Sequence, residues 1–243
     1  MKNWVKATLA SSTLLLTANV FAQDEEEIDY GWNGKGELGY VDTSGNTDST
    51  ALNLALEVLK NTEFWRFRAG ATALITSKDG DKDNERYSAE LQGDRKLSEK
   101  SYLFGVYRYD ADKFGAYDPQ QSITFGYGRE LMKSDTHLLK GEVGVGYKKS
   151  KERVSGESSS EAIARLLLED NWQIVESTAW NNRLLIEYGS DNTFTLFNTD
   201  VVVAMTDRFA LKVGWEYRHN SDIPPGTLDK TDTTTSANLV YNF

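Results

Sequence analysis

The 243-residue chain has no cysteine, three prolines and two histidines. Without cysteine there is no disulfide framework, no thiol catalysis and no thiolate-held zinc. The absence also suits an oxidising envelope compartment. Positive charge is scarce as well: 27 Lys and Arg stand against 37 Asp and Glu, a formal net charge of -10. Nucleic acid is therefore not an expected partner, because phosphate contacts need clustered cations. Beyond the first two dozen residues no window is apolar enough for a spanning helix, and the mean hydropathy is -0.53. That excludes a helical membrane bundle. It does not exclude a membrane barrel, whose strands alternate lipid-facing with interior-facing residues and so average out polar.

The first residues carry the one long apolar stretch. Lys2 and Lys6 precede the run from about Leu9 to Val20, and Val20-Phe21-Ala22 offers a small-x-Ala cleavage signal. This is the layout of a secretory signal peptide over residues 1–22, leaving Gln23 as the new N-terminus. The stretch is too short for a transmembrane helix and is interrupted by Thr, Ser and Asn. Removing its two lysines takes the net charge from -10 to -12. Residues 23–31, with the acidic run Asp24 to Glu27, then form a solvated tail expected on the periplasmic side.

From Trp32 to Phe243 the chain resolves into about twelve alternating segments, each of roughly the ten residues that a tilted strand needs to cross a bilayer. In the last, Thr233, Thr235, Ala237, Leu239, Tyr241 and Phe243 share one face. Thr234, Ser236, Asn238 and Asn242 share the other, with Val240 the exception. Leu52, Leu54, Leu56 and Val58 oppose Asn53 and Glu57; Val143, Val145 and Tyr147 oppose Lys140, Glu142 and Lys148. Leu211, Val213, Trp215 and Tyr217 oppose Lys212, Glu216 and Arg218. The segment Ser160 to Glu169 also fits a helix, through Glu161, Arg165 and Glu169 at i, i+4 spacing, but an even strand count makes it a strand. The expected fold is an antiparallel up-and-down transmembrane β-barrel spanning residues 32–243.

Connections and aromatics agree with this. Residues 42–48, 77–84, 111–119, 149–158, 189–192 and 219–231 read as outer loops, alternating with tight turns such as 59–63, 96–100 and 205–208. Pro119, Pro224 and Pro225 all fall in the outer set, as they should if proline is excluded from a barrel wall. Trp32, Trp65, Tyr127, Trp180 and Phe243 mark one interface, and Tyr40, Tyr109, Tyr147, Tyr188 and Tyr217 the other. The competing fold is a soluble periplasmic β-sandwich, which would need shorter strands and protected edges.

Several stretches resemble the YdiY-like family of outer-membrane proteins described as salt-induced, a family of unknown function. They are Trp32-Asn33-Gly34 with Gly39-Tyr40, Ser44-Gly45-Asn46-Thr47, Asp112-Lys113-Phe114 with Tyr117-Asp118, Gly126-Tyr127-Gly128, and Gly144-Val145-Gly146-Tyr147. The likeness spans essentially the whole mature chain. It implies an outer-membrane barrel and a link to salt or osmotic stress, and it supplies no catalytic or substrate residues. The closing Asn238 to Phe243 also resembles the signal read by the outer-membrane assembly machinery, which makes that machinery and outer-membrane lipid the expected partners.

Alternation assigns an ionic face to the interior. Lys35, Glu37, Glu57, Arg66, Arg68, Glu90, Arg108, Lys140, Glu142, Arg165, Glu187, Lys212 and Glu216 are the candidate lumen-lining residues, with the two signs nearly balanced. Such a lining either frames a narrow, weakly selective path for small polar solutes or pairs across strands to fill the interior. Asn46, Phe114 and Tyr117 are candidate outer-surface residues, the two aromatics expected to fold over the lumen mouth.

Catalysis is not expected. His137 lies by a periplasmic turn, and His219 with Ser221 at an outer strand end makes an outer-membrane lipase only a distant alternative. Asp79, Asp81, Asp83 and Glu90 match part of an EF-hand spacing, but Asn84 replaces the turn glycine, so a solvated hairpin is expected and no metal or cofactor. Two functional expectations follow: passive passage of small polar solutes or envelope adaptation to osmotic conditions, against a non-conducting barrel whose outer loops bind a partner or stabilise the envelope.

Overall fold

A computed structural model describes residues 31–43, 48–225 and 229–243. The expected signal peptide 1–22, the acidic tail up to residue 30 and the loop Ser44 to Thr47 with Asn46 lie outside the described residues.

The alternating segments form twelve strands: β1 (Trp32–Thr43), β2 (Ser49–Asn61), β3 (Trp65–Lys78), β4 (Asp81–Lys96), β5 (Ser101–Asp112), β6 (Tyr117–Lys133), β7 (His137–Glu152), β8 (Ser158–Val175), β9 (Thr178–Gly189), β10 (Thr193–Ala204), β11 (Phe209–Asn220) and β12 (Thr231–Asn242). Each pairs antiparallel with its neighbours in sequence, and β12 returns to β1 to close the barrel. Ser160 to Glu169 is strand, within β8.

One surface of every strand is apolar and turned outward. Leu54, Val143, Val145 and Val213 are among the exposed large hydrophobics, while Lys35, Glu37, Arg66, Glu142 and Arg165 are buried. A soluble sandwich would bury the first group and expose the second. The inverted arrangement is stable only where hydrocarbon is the outer solvent. Trp172 and Trp180, and Phe209, Tyr241 and Phe243, sit ring against ring at the end that carries the chain terminus. Amphipathic rings gather there because interfacial depth suits them.

The connections differ from expectation in length. At the terminus end they are 62–64, 97–100, 134–136, 176–177 and 205–208, and at the loop end 44–48, 79–80, 113–116, 153–157, 190–192 and 221–230. Two stretches read as long loops, 77–84 and 111–119, are thus largely strand, and 149–158 is half strand. Between β3 and β4 only Asp79 and Gly80 turn the chain, with φ of 51° and 88°. Two successive positive φ values are what an Asp-Gly hairpin turn supplies. Pro119 lies inside β6, not in a loop. The wall tolerates it because the β6–β7 register breaks between Tyr117 and Gln120, so the missing N–H falls outside the ladder. Pro224 and Pro225 do lie in the connection between β11 and β12.

The barrel closes on the last residue. Gly34 and Phe243 exchange backbone hydrogen bonds of 2.8 and 2.9 Å. The Phe243 ring occupies the space where a Cβ at position 34 would be, so glycine is required for this close approach.

Candidate functional site

Cross-strand pairing places all thirteen predicted lumen residues on the inward face. In the described barrel their charges meet not only along the wall but across the interior. Arg68 on β3 reaches Glu169 on β8 at 3.4 Å, and Arg183 on β9 reaches Glu90 on β4 at 3.2 Å. Arg86 on β4 meets Glu216 on β11 at 2.5 Å, and Arg218 on β11 meets Asp110 on β5 at 3.2 Å. Arg108 joins the set with Asp110 at 2.9 Å and Glu187 at 3.6 Å. Apart from Arg108 and Asp110, which share β5, these partners are four to six strands apart around a twelve-stranded wall, so the pairs are struts across the lumen.

The interior is not filled evenly. Over β5 to β10 it is packed. Tyr102 and Phe104 lie flat against β6 and β7, where the inward positions are Gly126, Gly128 and Gly144; a Cβ at Gly128 would fall 2.3 Å from the Tyr102 ring. Guanidinium groups cap these rings, Arg66 over Tyr102 at 4.8 Å and Arg165 over Phe104 at 5.0 Å. Phe194 is held between Arg108 and Arg218 at 4.3 and 5.2 Å. Each stack is a cation–π contact in a partly desolvated setting. Leu167, Leu185, Phe194 and Leu196 form an apolar cluster on the same side. Glu142 accepts from Arg165 at 2.5 Å, Tyr102 at 2.9 Å and Gln92 at 2.9 Å.

Over β11, β12 and β1 to β4 small inward residues, Ala55, Gly70, Thr72, Ser88, Gly214 and Ser236, stand between the charged ones. Here a cavity of about 240 Å³ remains. Its charged lining is six basic groups, Lys35, Arg86, Arg108, Arg183, Lys212 and Arg218, and six acidic ones, Glu37, Glu57, Glu90, Asp110, Asp200 and Glu216. Asn53, Asn198 and Asn238 add amides. The chamber is smaller than the roughly 300 Å³ at which pockets begin to hold drug-sized ligands, so it suits water or one small polar solute.

Seven predicted residues therefore meet at this chamber: Lys35, Glu37, Glu57, Glu90, Arg108, Lys212 and Glu216. The other six, Arg66, Arg68, Lys140, Glu142, Arg165 and Glu187, lie outside its lining. Lys140 sits between Glu130 and Glu169 on the adjoining strands. Arg86, Asp110, Asp200, Arg218 and Asn238 belong to the chamber and were not among the candidates, although the same alternation puts them inward.

At the loop end, Tyr117 reaches across the mouth: its hydroxyl donates to the Asp222 carbonyl at 3.4 Å. Residues 221–225 thus bridge toward the β5–β6 hairpin, and Pro224 among them is buried. Phe114, in that hairpin's turn, is exposed.

His219 shares a hydrogen bond of 2.8 Å with the Thr231 hydroxyl, while Ser221 turns to Asn192 and the Thr193 amide. His137 contacts Asp170 at 2.5 Å. No serine–histidine pair forms at Ser221 among the described residues. Asp79, Asp81 and Asp83 stay on the β3–β4 hairpin, apart from Glu90, and no cluster fit for a metal occurs among the described residues.

Fold and lining together define an outer-membrane type of β-barrel with the architecture of a small porin. It is similar to the NanC porin, with a TM-score of 0.52 at 10% identity over 87% of this chain and 98% of that one. It is equally similar to the COG4313 outer membrane channel of Pseudomonas putida F1, with a TM-score of 0.52 at 11% identity over 90% of this chain and all of that one. Likeness at such low identity speaks for the fold. The chain belongs to the family described as "Protein of unknown function, DUF481", whose model matches residues 36–243. Among its relatives is the Uncharacterized protein YdiY of Escherichia coli (strain K12), 25% identical over 214 residues, covering 87% of this chain and 83% of that one.

Proposed function

We propose that the protein is a narrow passive channel of the outer membrane for small polar solutes. In this reading residues 1–22 are removed on secretion, the terminus end faces the periplasm, and the strutted mouth faces outside. The observation that carries it is the off-centre polar chamber with balanced charge. An even mix of six basic and six acidic groups offers hydrogen bonds to either sign while favouring neither, so passage would be slow and weakly selective. Porin-type relatives in fold support this reading. The family resemblance adds a role in salt or osmotic adaptation, tested by comparing deletion and wild-type cells across external salt.

A second reading is favoured by the struts. Five guanidinium–carboxylate contacts across the lumen and a loop seated on the mouth also describe a non-conducting barrel that braces the envelope or presents its loops. Planar-bilayer recording of the refolded protein decides between the two. The channel reading expects reproducible small steps with a cation-to-anion permeability ratio near unity, and a correctly folded but silent barrel overturns it.

A further inference from the structure

Eleven of the twelve seams pair ten to fifteen residues, but β1 and β12 pair only four, Lys35 to Leu38 with Leu239 to Asn242. The register does not run out of strand. Continued, it would set Gly39 to Thr43 opposite Thr234 to Asn238, and all of these residues are strand. The edges meet once more at Gly39, where a Cβ would fall on the Asn238 side chain and the Ala237 carbonyl, and beyond that point no ladder joins them. Val41, whose position faces inward, is half exposed. Irregular or unpaired backbone is tolerated at membrane depth only where it borders water or a polar partner, so an open edge here needs one.

What lies on either side of the opening indicates the partner. Inside, the β12 edge residues Thr234, Ser236 and Asn238 line the polar chamber with its paired charges. Outside, an apolar groove of about 660 Å³ lies over the last paired rungs of the seam and along β2 to β4, bordered by Gly36, Leu38, Leu56, Ala71, Leu239 and Tyr241, so that it ends at the lower edge of the opening. Glu37 borders both cavities and is held by Lys212 and Asn238. A polar, charge-balanced pocket inside and an apolar groove outside, the first reaching the opening at Asn238 and the second at Leu38 and Leu239, match a molecule with a small zwitterionic head and a single hydrocarbon chain.

We propose that the β1–β12 seam is a side entrance from the bilayer that admits a single-chain zwitterionic amphiphile, its head in the chamber and its chain in the groove. This goes beyond axial passage of solutes and does not depend on it. Because the chain has no native cysteine, Val41→Cys with Ser236→Cys gives a lockable seam, the two positions facing each other if the register continues.

The test is native mass spectrometry of the refolded, maltoside-solubilised protein with lysophosphatidylcholine. Wild type and the reduced double variant are expected to carry one molecule. Oxidation to the disulfide should weaken binding roughly tenfold or more. Lysophosphatidic acid, which lacks the ammonium, should bind less well. Ala71→Trp, a lipid-facing change that fills the groove without altering the seam, should weaken binding too and serves if the cysteine pair fails to fold. The proposal is overturned if wild type carries no lysophosphatidylcholine, if locking and groove filling both leave binding unchanged, or if the open edge instead captures a second copy of the chain as a dimer. A silent but lysophospholipid-binding barrel would remove the channel reading and leave this one standing.

Discussion

At the level of single residues, the interior is specified by contacts that pair large with small. Tyr102 and Phe104 fit only because Gly126, Gly128 and Gly144 leave the facing wall bare. Gly128→Ala should therefore destabilise the barrel by about 1–3 kcal/mol in urea unfolding from lipid vesicles, the usual cost of overpacking a filled site. Gly36→Ala, with nothing within 4 Å of its Cβ, should be neutral in the same assay. The struts make a second prediction. Arg183→Gln leaves Glu90 and Glu169 without one of their cations, so single-channel conductance should rise and selectivity move toward cations. Its stability cost should fall below the ~3–5 kcal/mol typical of a broken dry ion pair, because the adjoining chamber admits water. Alternation alone reveals which charges point inward. It does not reveal that Arg183 reaches Glu90, or that inward aromatics rest on glycines of the next strands, because both depend on inter-strand register.

Strands and turns were legible wherever one face was consistently apolar. The alternation in β2, β7, β11 and β12 emerges in the wall as read, and β8 is a strand despite charges at helical spacing. The hairpins between β3 and β4 and between β5 and β6 were harder. Their polar ends carry no hydrophobic contrast, so strand extending beyond the bilayer looks like loop, even though Asp79-Gly80 is a strong two-residue turn signal. The outward face makes a sharp prediction: Val213→Arg should cost about 2–4 kcal/mol of insertion stability if it sits near the bilayer midplane, whereas Thr72→Arg, pointing into the chamber, should insert normally. Both are measurable by folding titrations scored through heat-modifiable mobility. Closure is the weakest element, resting on four register pairs and the Gly34–Phe243 bonds. Deleting Phe243 should lower the folded yield far more than Phe243→Tyr, which keeps the backbone pair and a ring.

For the whole molecule, what the sequence could not show is asymmetry. A balanced ionic lining was evident from thirteen inward residues, but whether those charges frame a path or fill the space is decided by which side chains face each other across the barrel. The structure divides the two outcomes between halves: aromatic and guanidinium stacks fill the β5–β10 side, while small residues leave a chamber against β11, β12 and β1 to β4. Any axial passage must follow that second side. Cysteine accessibility tests this most directly, since the protein has no background thiol. Thr72→Cys on the chamber wall and Thr124→Cys, fully buried in the packed half, would be exposed to a charged methanethiosulfonate reagent during bilayer recording. Modification of Thr72→Cys should block or step down the current while Thr124→Cys remains unreactive. Block through Thr124→Cys with an inert Thr72→Cys would contradict the off-centre path.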